Sequence, residues 1–330
     1  MPITISGGAT LSGGAQIGAG GSSPSPTPGG GFQGSNFGYA SGGSTSGASS
    51  VINVIQKYSF SSDGNASDVG DLPAQKFISA GQSSSTSGYN SGGYNGITQT
   101  AFSAIDKFSF SSDGNASDSG DLSVARFGVS GQSSSASGYT TGGLNSGSSL
   151  TNTIDKFAFA SDGNASDVGD ISNSIYGGAG QSSSSSGYNS GGHVSGGINN
   201  IDKFAFASDG NASDVGDLTV VRFYGAGQSS SASGYTSGGY TTAVANPINT
   251  VDKFSFSSDG NATDVGDLTV TRGSVPDGTS STNHGYTAGG QNSSAVKQNI
   301  IDKFAFASDG NASDVGDLLN SIIGSSGQQY

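Results

Sequence analysis

Six near-identical acidic turns carry most of the potential chemistry in this chain of 330 residues. The first reads SDGNASDVGDL and sets Asp63, Asn65, Ser67 and Asp71 in the pattern D-x-N-x-S-x-x-x-D. Oxygen donors at alternate positions are what a calcium loop supplies. Asp68 stands where such loops carry glycine, so calcium at these turns is conceivable but not favoured over a hydrogen-bonded turn with solvated aspartates. Six copies do not change that balance, because duplication copies a turn as readily as a site. Upstream of each turn lies Ile-Asp-Lys or a variant, with Asp106 and Lys107 in the second unit. Successive residues of a strand point to opposite faces, so each partner is expected to pair with a neighbouring unit.

Little else could do covalent or acid–base work. The chain has no Cys, and all 24 acidic residues are Asp, which leaves no thiolate site and no Glu to act beside an Asp. His193 and His284 fall in different units with no evident nucleophile partner. The chain is therefore read as a non-enzyme, with no catalytic, cofactor or metal residue nominated. Eleven basic residues against 24 acidic ones give a net charge of −13, which argues against nucleic acid as a partner. No apolar run approaches the length of a membrane-spanning helix, so no membrane insertion is expected. The first residues lack the basic start and apolar core of a secretory signal.

The elements that position these residues follow from the repeat. The first Asp of each turn is Asp63, Asp113, Asp162, Asp209, Asp259 and Asp309, spaced 50, 49, 47, 50 and 50 residues apart. Each turn is preceded by an aromatic strand in which Phe108 and Phe110, for example, alternate with Lys107 and Ser109. Further upstream lies GYxSGG or a variant, starting at Gly38, Gly88, Gly138, Gly187, Gly234 and Gly285, and before that a small polar stretch such as GQSSS. Four short strands per unit account for this order. The small stretch suits the innermost strand of a tapering blade, and the Phe-rich stretch suits the wider middle. Units near 50 residues fit propeller blades better than solenoid coils, which run below about 30 residues. The chain stops where a seventh GYxSGG would start. Its last strand is thus expected to complete the blade begun near Gly38, leaving no open sheet edge. The predicted fold is an all-β, six-bladed β-propeller with split-blade closure.

The order of basic residue, small strand, Gly-Tyr, Gly-Gly doublet, variable loop, aromatic strand and Asp-rich turn resembles kelch repeats. The basic residue is Lys76, Arg126, Arg222 or Arg272, with Ile175 and Ile322 at that place in two units; the usual kelch Trp is missing. More narrowly, IDKFxFxSDGNASDVGDL paired with GQSSSxSGYxSGG resembles the kelch-like structural proteins of marine tailed phages, especially cyanophages. That resemblance implies a non-catalytic virion protein: a tail fibre, an appendage or a capsid decoration. It also implies contacts to other virion proteins through the N-terminal arm, and a host surface glycan as a candidate ligand. The alternative is a secreted or surface-displayed bacterial binding module. A sialidase Asp box, S-x-D-x-G-x-x-W, is matched by Ser61 and Asp63 only, since Asn65 and Asp68 replace its Gly and Trp.

Residues 1–31 read as a flexible Gly/Ser/Pro-rich arm, with Ile3, Ile5, Leu11 and Ile17 as candidate virion-docking residues. Residues 32–330 form the propeller. In antiparallel blades, the acidic turns share one face and the loops after the Gly-Gly doublets share the other. Eighteen of the 24 Asp lie in the turns. The loops at 44–54, 94–104, 144–153, 193–200, 240–250 and 291–300 differ in every unit. Tyr94, His193 and Tyr240 on that variable face are the candidate partner-binding residues, because loops on a rigid scaffold are where binding residues gather.

Overall fold

The computed structural model describes residues 33–241, 246–274 and 277–330. They form six antiparallel sheets of four main strands each, arranged as the blades of a closed propeller. The arm and its residues Ile3, Ile5, Leu11 and Ile17 lie outside the described residues. Blade 1 consists of Phe37–Ser41, Val54–Ser59 and Ser67–Asp71, and its innermost strand is Ser326–Gln329 from the other end of the chain. Gly38 pairs with Gln329 and Ser41 with Ser326. The split-blade closure is thus present. Blades 2 to 6 follow in chain order, each running from its inner to its outer strand.

The inner strands are Ala80–Ser83, Ser130–Ser133, Ala179–Ser182, Ala226–Ser229, Asp277–Ser280 and Ser326–Gln329. Each carries a glycine at its second position. A β-carbon on Gly81, Gly131, Gly180, Gly227, Gly278 or Gly327 would overlap the carbonyl oxygen of the preceding blade's glycine. Hydrogen bonds then close a ring around the axis. The backbone N–H of Ser83 donates to Ser133 Oγ, that of Ser133 to Ser182 Oγ, that of Ser182 to Ser229 Oγ and that of Ser229 to Ser280 Oγ. Ser280 N–H donates to Gln329 Oε1, and Gln329 N–H donates to Ser83 Oγ. One residue earlier, Gln82, Gln132, Gln181, Gln228 and Gln328 each donate to a backbone carbonyl of the next blade.

Farther out, apolar packing takes over. The tyrosine of each second strand is buried against the aromatic pair of the next blade's third strand. Tyr39 packs on Phe108 and Phe110, Tyr89 on Phe157 and Phe159, and Tyr286 on Tyr58 and Phe60 across the closing interface. Every apolar cluster therefore spans two blades. Such aromatic pairs add about 0.5–1.5 kcal/mol each beyond the area they bury.

In the Ile-Asp-Lys strands the two halves reach opposite ways. The Lys half reaches the following blade. Lys57, Lys107, Lys156, Lys203, Lys253 and Lys303 pair with Asp113, Asp162, Asp209, Asp259, Asp309 and Asp63 at 2.8–2.9 Å, a second closed ring. The Asp half turns inward and meets a cation at the end of the preceding blade's outer strand, as Asp252 with Arg222 and Asp302 with Arg272, or in the connection leaving it, as Asp106 with Lys76 and Asp155 with Arg126. The outer pairs are solvent-screened and contribute little. The inner ones are fully buried, and losing one partner would strand a charge. Where Ile175 replaces the cation, Asp202 accepts hydrogen bonds from the Ser172 N–H and hydroxyl, and burial raises its carboxyl above the usual range. Where Ile322 replaces it, the acid is absent too: Gln56 stands there and accepts the Leu319 N–H at 2.7 Å.

Removing residues 319–330 would take away the inner strand of blade 1 together with buried Ile322 and Ile323. The edge of Phe37–Ser41 would then be bare. The truncated protein is expected to unfold or aggregate in size-exclusion chromatography. A monodisperse product with the full-length melting temperature would contradict the closure.

Candidate functional site

The two faces differ in what their side chains are committed to. On the acidic face, three of the four candidate calcium ligands already have partners. Asp63 pairs with Lys303, the Asn65 side-chain oxygen accepts the Asp317 N–H, and the Ser67 hydroxyl donates to the Lys57 carbonyl, while Asp68 accepts the Gly70 N–H. The same bonds recur around the ring, as with Asn115 to Asp71 and Asn164 to Asp121. The turn is an inter-blade clasp: its Asn reaches the outer strand of the preceding blade. Gly70 makes the close approach possible, because a β-carbon there would overlap Gly114 of the next blade's turn.

The opposite face is built from the loops after the Gly-Gly doublets and from the connections leading to each inner strand. Tyr94, His193 and Tyr240 occupy equivalent places, one residue past the doublet in blades 2, 4 and 5. Each bridges to the residue that follows the basic position: Phe77 with Tyr94, Tyr176 with His193, and Phe223 with Tyr240. The structure thereby joins the three candidates to aromatic residues that sequence reading passed over. Tyr94 also stacks on Phe127 at 4.6 Å, and Tyr176 meets Tyr224 at 5.5 Å. His193 lies between Tyr176 and Phe223, at 4.9 and 4.8 Å. The result is an aromatic arc over blades 2 to 5 in two contact groups, Phe77–Tyr94–Phe127 and Tyr176–His193–Phe223–Tyr224–Tyr240. It is broken at blade 6 by Gly273 and Gln291, and at blade 1 by Ile323 and Ser44.

Exposure separates the candidates. Tyr94 and His193 are half-buried, whereas Tyr240 is only 8% exposed, with its hydroxyl bonded to Ser274 Oγ at 2.7 Å. Tyr240 is thus a supporting residue and not a contact surface. Its ring fills the space over Gly273, where a β-carbon would overlap it. His284 sits at the start of a second strand, beside the acidic face, so the two histidines lie on opposite sides. Burial and nearby Lys303 lower the His284 pKa.

The exposed large aliphatic side chains belong to the same face as the arc. Among the described residues these are Ile97, Val124, Val194, Val220, Val296 and Leu319, all in its loops or in the stretches leading from outer to inner strands. Around the axial mouth runs a ring of backbone hydrogen bonds, including Gly128 N–H to the Ile78 carbonyl, Gly177 N–H to Gly128 and Tyr224 N–H to Gly177. Its members have left-handed φ. Gly128, Gly177 and Gly324 fill three of the places, but Ile78, Tyr224 and Ser274 fill the others at φ of 49°, 57° and 64°. A β-branched residue is rarely tolerated there. Below the mouth, the axis holds a polar cavity of about 70 Å³ and, farther along, a second of about 60 Å³. Ligand pockets run to roughly 300–1,000 Å³, so a large partner would rest on this face and not enter the axis.

No family model and no curated protein matches the chain. Tyr240→Phe, which removes only the hydroxyl bonded to Ser274, is expected to destabilise the protein by about 1 kcal/mol in chemical denaturation. Tyr94→Phe is expected to leave stability unchanged. Equal effects of the two would contradict their different placement.

Proposed function

We propose that the protein is a non-catalytic virion component, such as a tail fibre, appendage or capsid decoration, that docks on a host-surface glycan through its variable face. The observation that carries this reading is the segregation of the surface. The exposed aliphatic residues and the half-buried aromatic arc lie on one side, and eighteen of the 24 Asp lie on the other. An anionic polysaccharide would be repelled by the acidic face within a range of about 10 Å in ordinary salt. On the variable face, Tyr94, Tyr176 and Tyr224 offer rings that can stack on sugar while their hydroxyls hydrogen-bond. The propeller supplies the rigidity that such a surface needs, because every loop is anchored to strands whose neighbours are tied in three concentric rings. The phage assignment rests on the likeness of the repeat pair to kelch-like tailed-phage proteins. Attachment through residues 1–31 belongs to the same reading.

The first test is detection of the chain in purified virions. The second replaces three arc residues together, Tyr94→Ser, Tyr176→Ser and Tyr224→Gly. Three stacking contacts of about 0.5–1.5 kcal/mol each should vanish, lowering adsorption to host cells roughly tenfold or more while the protein stays folded. Unchanged adsorption by the folded triple variant would refute glycan docking on this face.

A further inference from the structure

One acidic residue stands outside the repeat. Of the 24 Asp, eighteen belong to the turns and five to the Ile-Asp-Lys strands; the remaining one is Asp277. It opens the inner strand of blade 6, at the place held by Ala80, Ser130, Ala179, Ala226 and Ser326 in the other blades. It is 1% exposed and lines the axial cavity beneath the variable face, together with Ser79, Ser130, Ser325 and Ser326. Among the described residues neither carboxylate oxygen has a well-formed hydrogen bond, the adjacent Gly278 N–H being its nearest donor, and no Lys or Arg pairs with it. The hydroxyl of Ser325, in the same cavity, is also buried without a partner. Three orphaned oxygens therefore belong to residues that line one axial space.

We propose that this cavity binds a single hard, oxygen-preferring metal cation, with the Asp277 carboxylate as its anionic ligand and the Ser325 hydroxyl as a second donor. Leaving an ionised carboxylate buried and unpaired is costly. Every other buried Asp in the chain is supplied with a cation, a hydroxyl or a backbone N–H. Water in the cavity could satisfy hydrogen bonds but could not balance the charge. The space, about 70 Å³, suits an ion with one or two waters and excludes an organic ligand. The polar side chains lining it, Asp277 and four serines, carry oxygen alone, which selects calcium or sodium over softer metals. One carboxylate places the affinity for calcium at the weak end, near 10⁻⁴–10⁻³ M. The site lies between blade 6 and the strand that closes blade 1, so an ion there would hold the closing interface. This inference is independent of the proposed virion role.

The test uses the full chain, stripped with chelator and dialysed into buffer whose ionic strength is set with tetramethylammonium chloride. Thermal melting is then followed with 10 mM calcium chloride added, or with sodium replacing tetramethylammonium. The wild-type melting temperature is expected to rise by roughly 2–4 °C with at least one of these ions. Asp277→Asn and Asp277→Ala should show no rise. The alanine variant carries the residue that blade 5 already has at this place, Ala226, so it should fold even if the asparagine variant does not. No rise in the wild type with either ion would overturn the proposal and leave a protonated, water-bridged carboxyl. An equal rise in the alanine variant would also overturn it, by moving the ion to the acidic turns.

Discussion

Six strands converge on an axis too narrow for a β-carbon. The glycines at 81, 131, 180, 227, 278 and 327 lie against one another's carbonyls, and the rest of the molecule is organised around that contact. An inner strand made almost entirely of Gly, Ser, Ala and Gln cannot hold its blade by burying apolar surface. It is held by hydrogen bonds, and because each bond reaches the next blade, the set closes on itself. Apolar burial is displaced to the middle radius, where Tyr and Phe side chains have room. Most charge is displaced farther still, to the acidic turns and their Lys–Asp ring, and most charges that remain inside are held as buried ion pairs. A chain that is only 32% hydrophobic can fold this way because its apolar residues are concentrated in six equivalent seams.

This radial order explains what could be read from the sequence. The blades and the closure were legible because duplication repeats the inner, aromatic and turn segments with almost no change. The Lys–Asp ring was half legible. Alternation in a strand shows that Asp106 and Lys107 point opposite ways, but not that inward means toward Lys76 in the connection from the preceding blade. The aromatic arc was not legible as a unit. Phe77 and Tyr94 are brought together by a loop and a connection that differ from blade to blade, so no periodic signal marks them. The burial of Tyr240 depends on Gly273 of the next blade lacking a side chain, which no local pattern reveals. Asp277 was hidden in a different way, because the segment PDG reads as a turn and not as the start of an inner strand.

Departures from the repeat fall into two kinds. The first kind is matched by a change elsewhere. At the interface between blades 6 and 1, Thr279 stands where other inner strands have Gln, and Ala40 stands where Thr140, Thr236 or Thr287 would receive that Gln. Tyr58 replaces the Phe of the other third strands, and its hydroxyl reaches Thr279 Oγ1 at 2.6 Å. Three substitutions thus rebuild one contact. Gln56 with Ile322, and Asp202 with Ser172, do the same for the buried ion pair.

The second kind has no such compensation. Ile78 and Tyr224 keep a left-handed backbone that glycine occupies in three equivalent connections, at a cost of order 1–3 kcal/mol each. Asp277 brings a carboxylate into an inner ring that is otherwise neutral. In a scaffold with six interchangeable copies, the relaxed alternative to each is already present in a neighbouring blade, as Gly128, Gly177 or Ala226. Retaining the unfavourable residue beside its own relaxed template is hard to explain by folding alone. All three lie at or directly beneath the axial mouth of the variable face, inside the aromatic arc. The symmetry of the propeller therefore acts as an internal control: it separates residues that the fold requires from residues that the fold merely tolerates, and it locates the latter on the face to which the exposed apolar groups also belong.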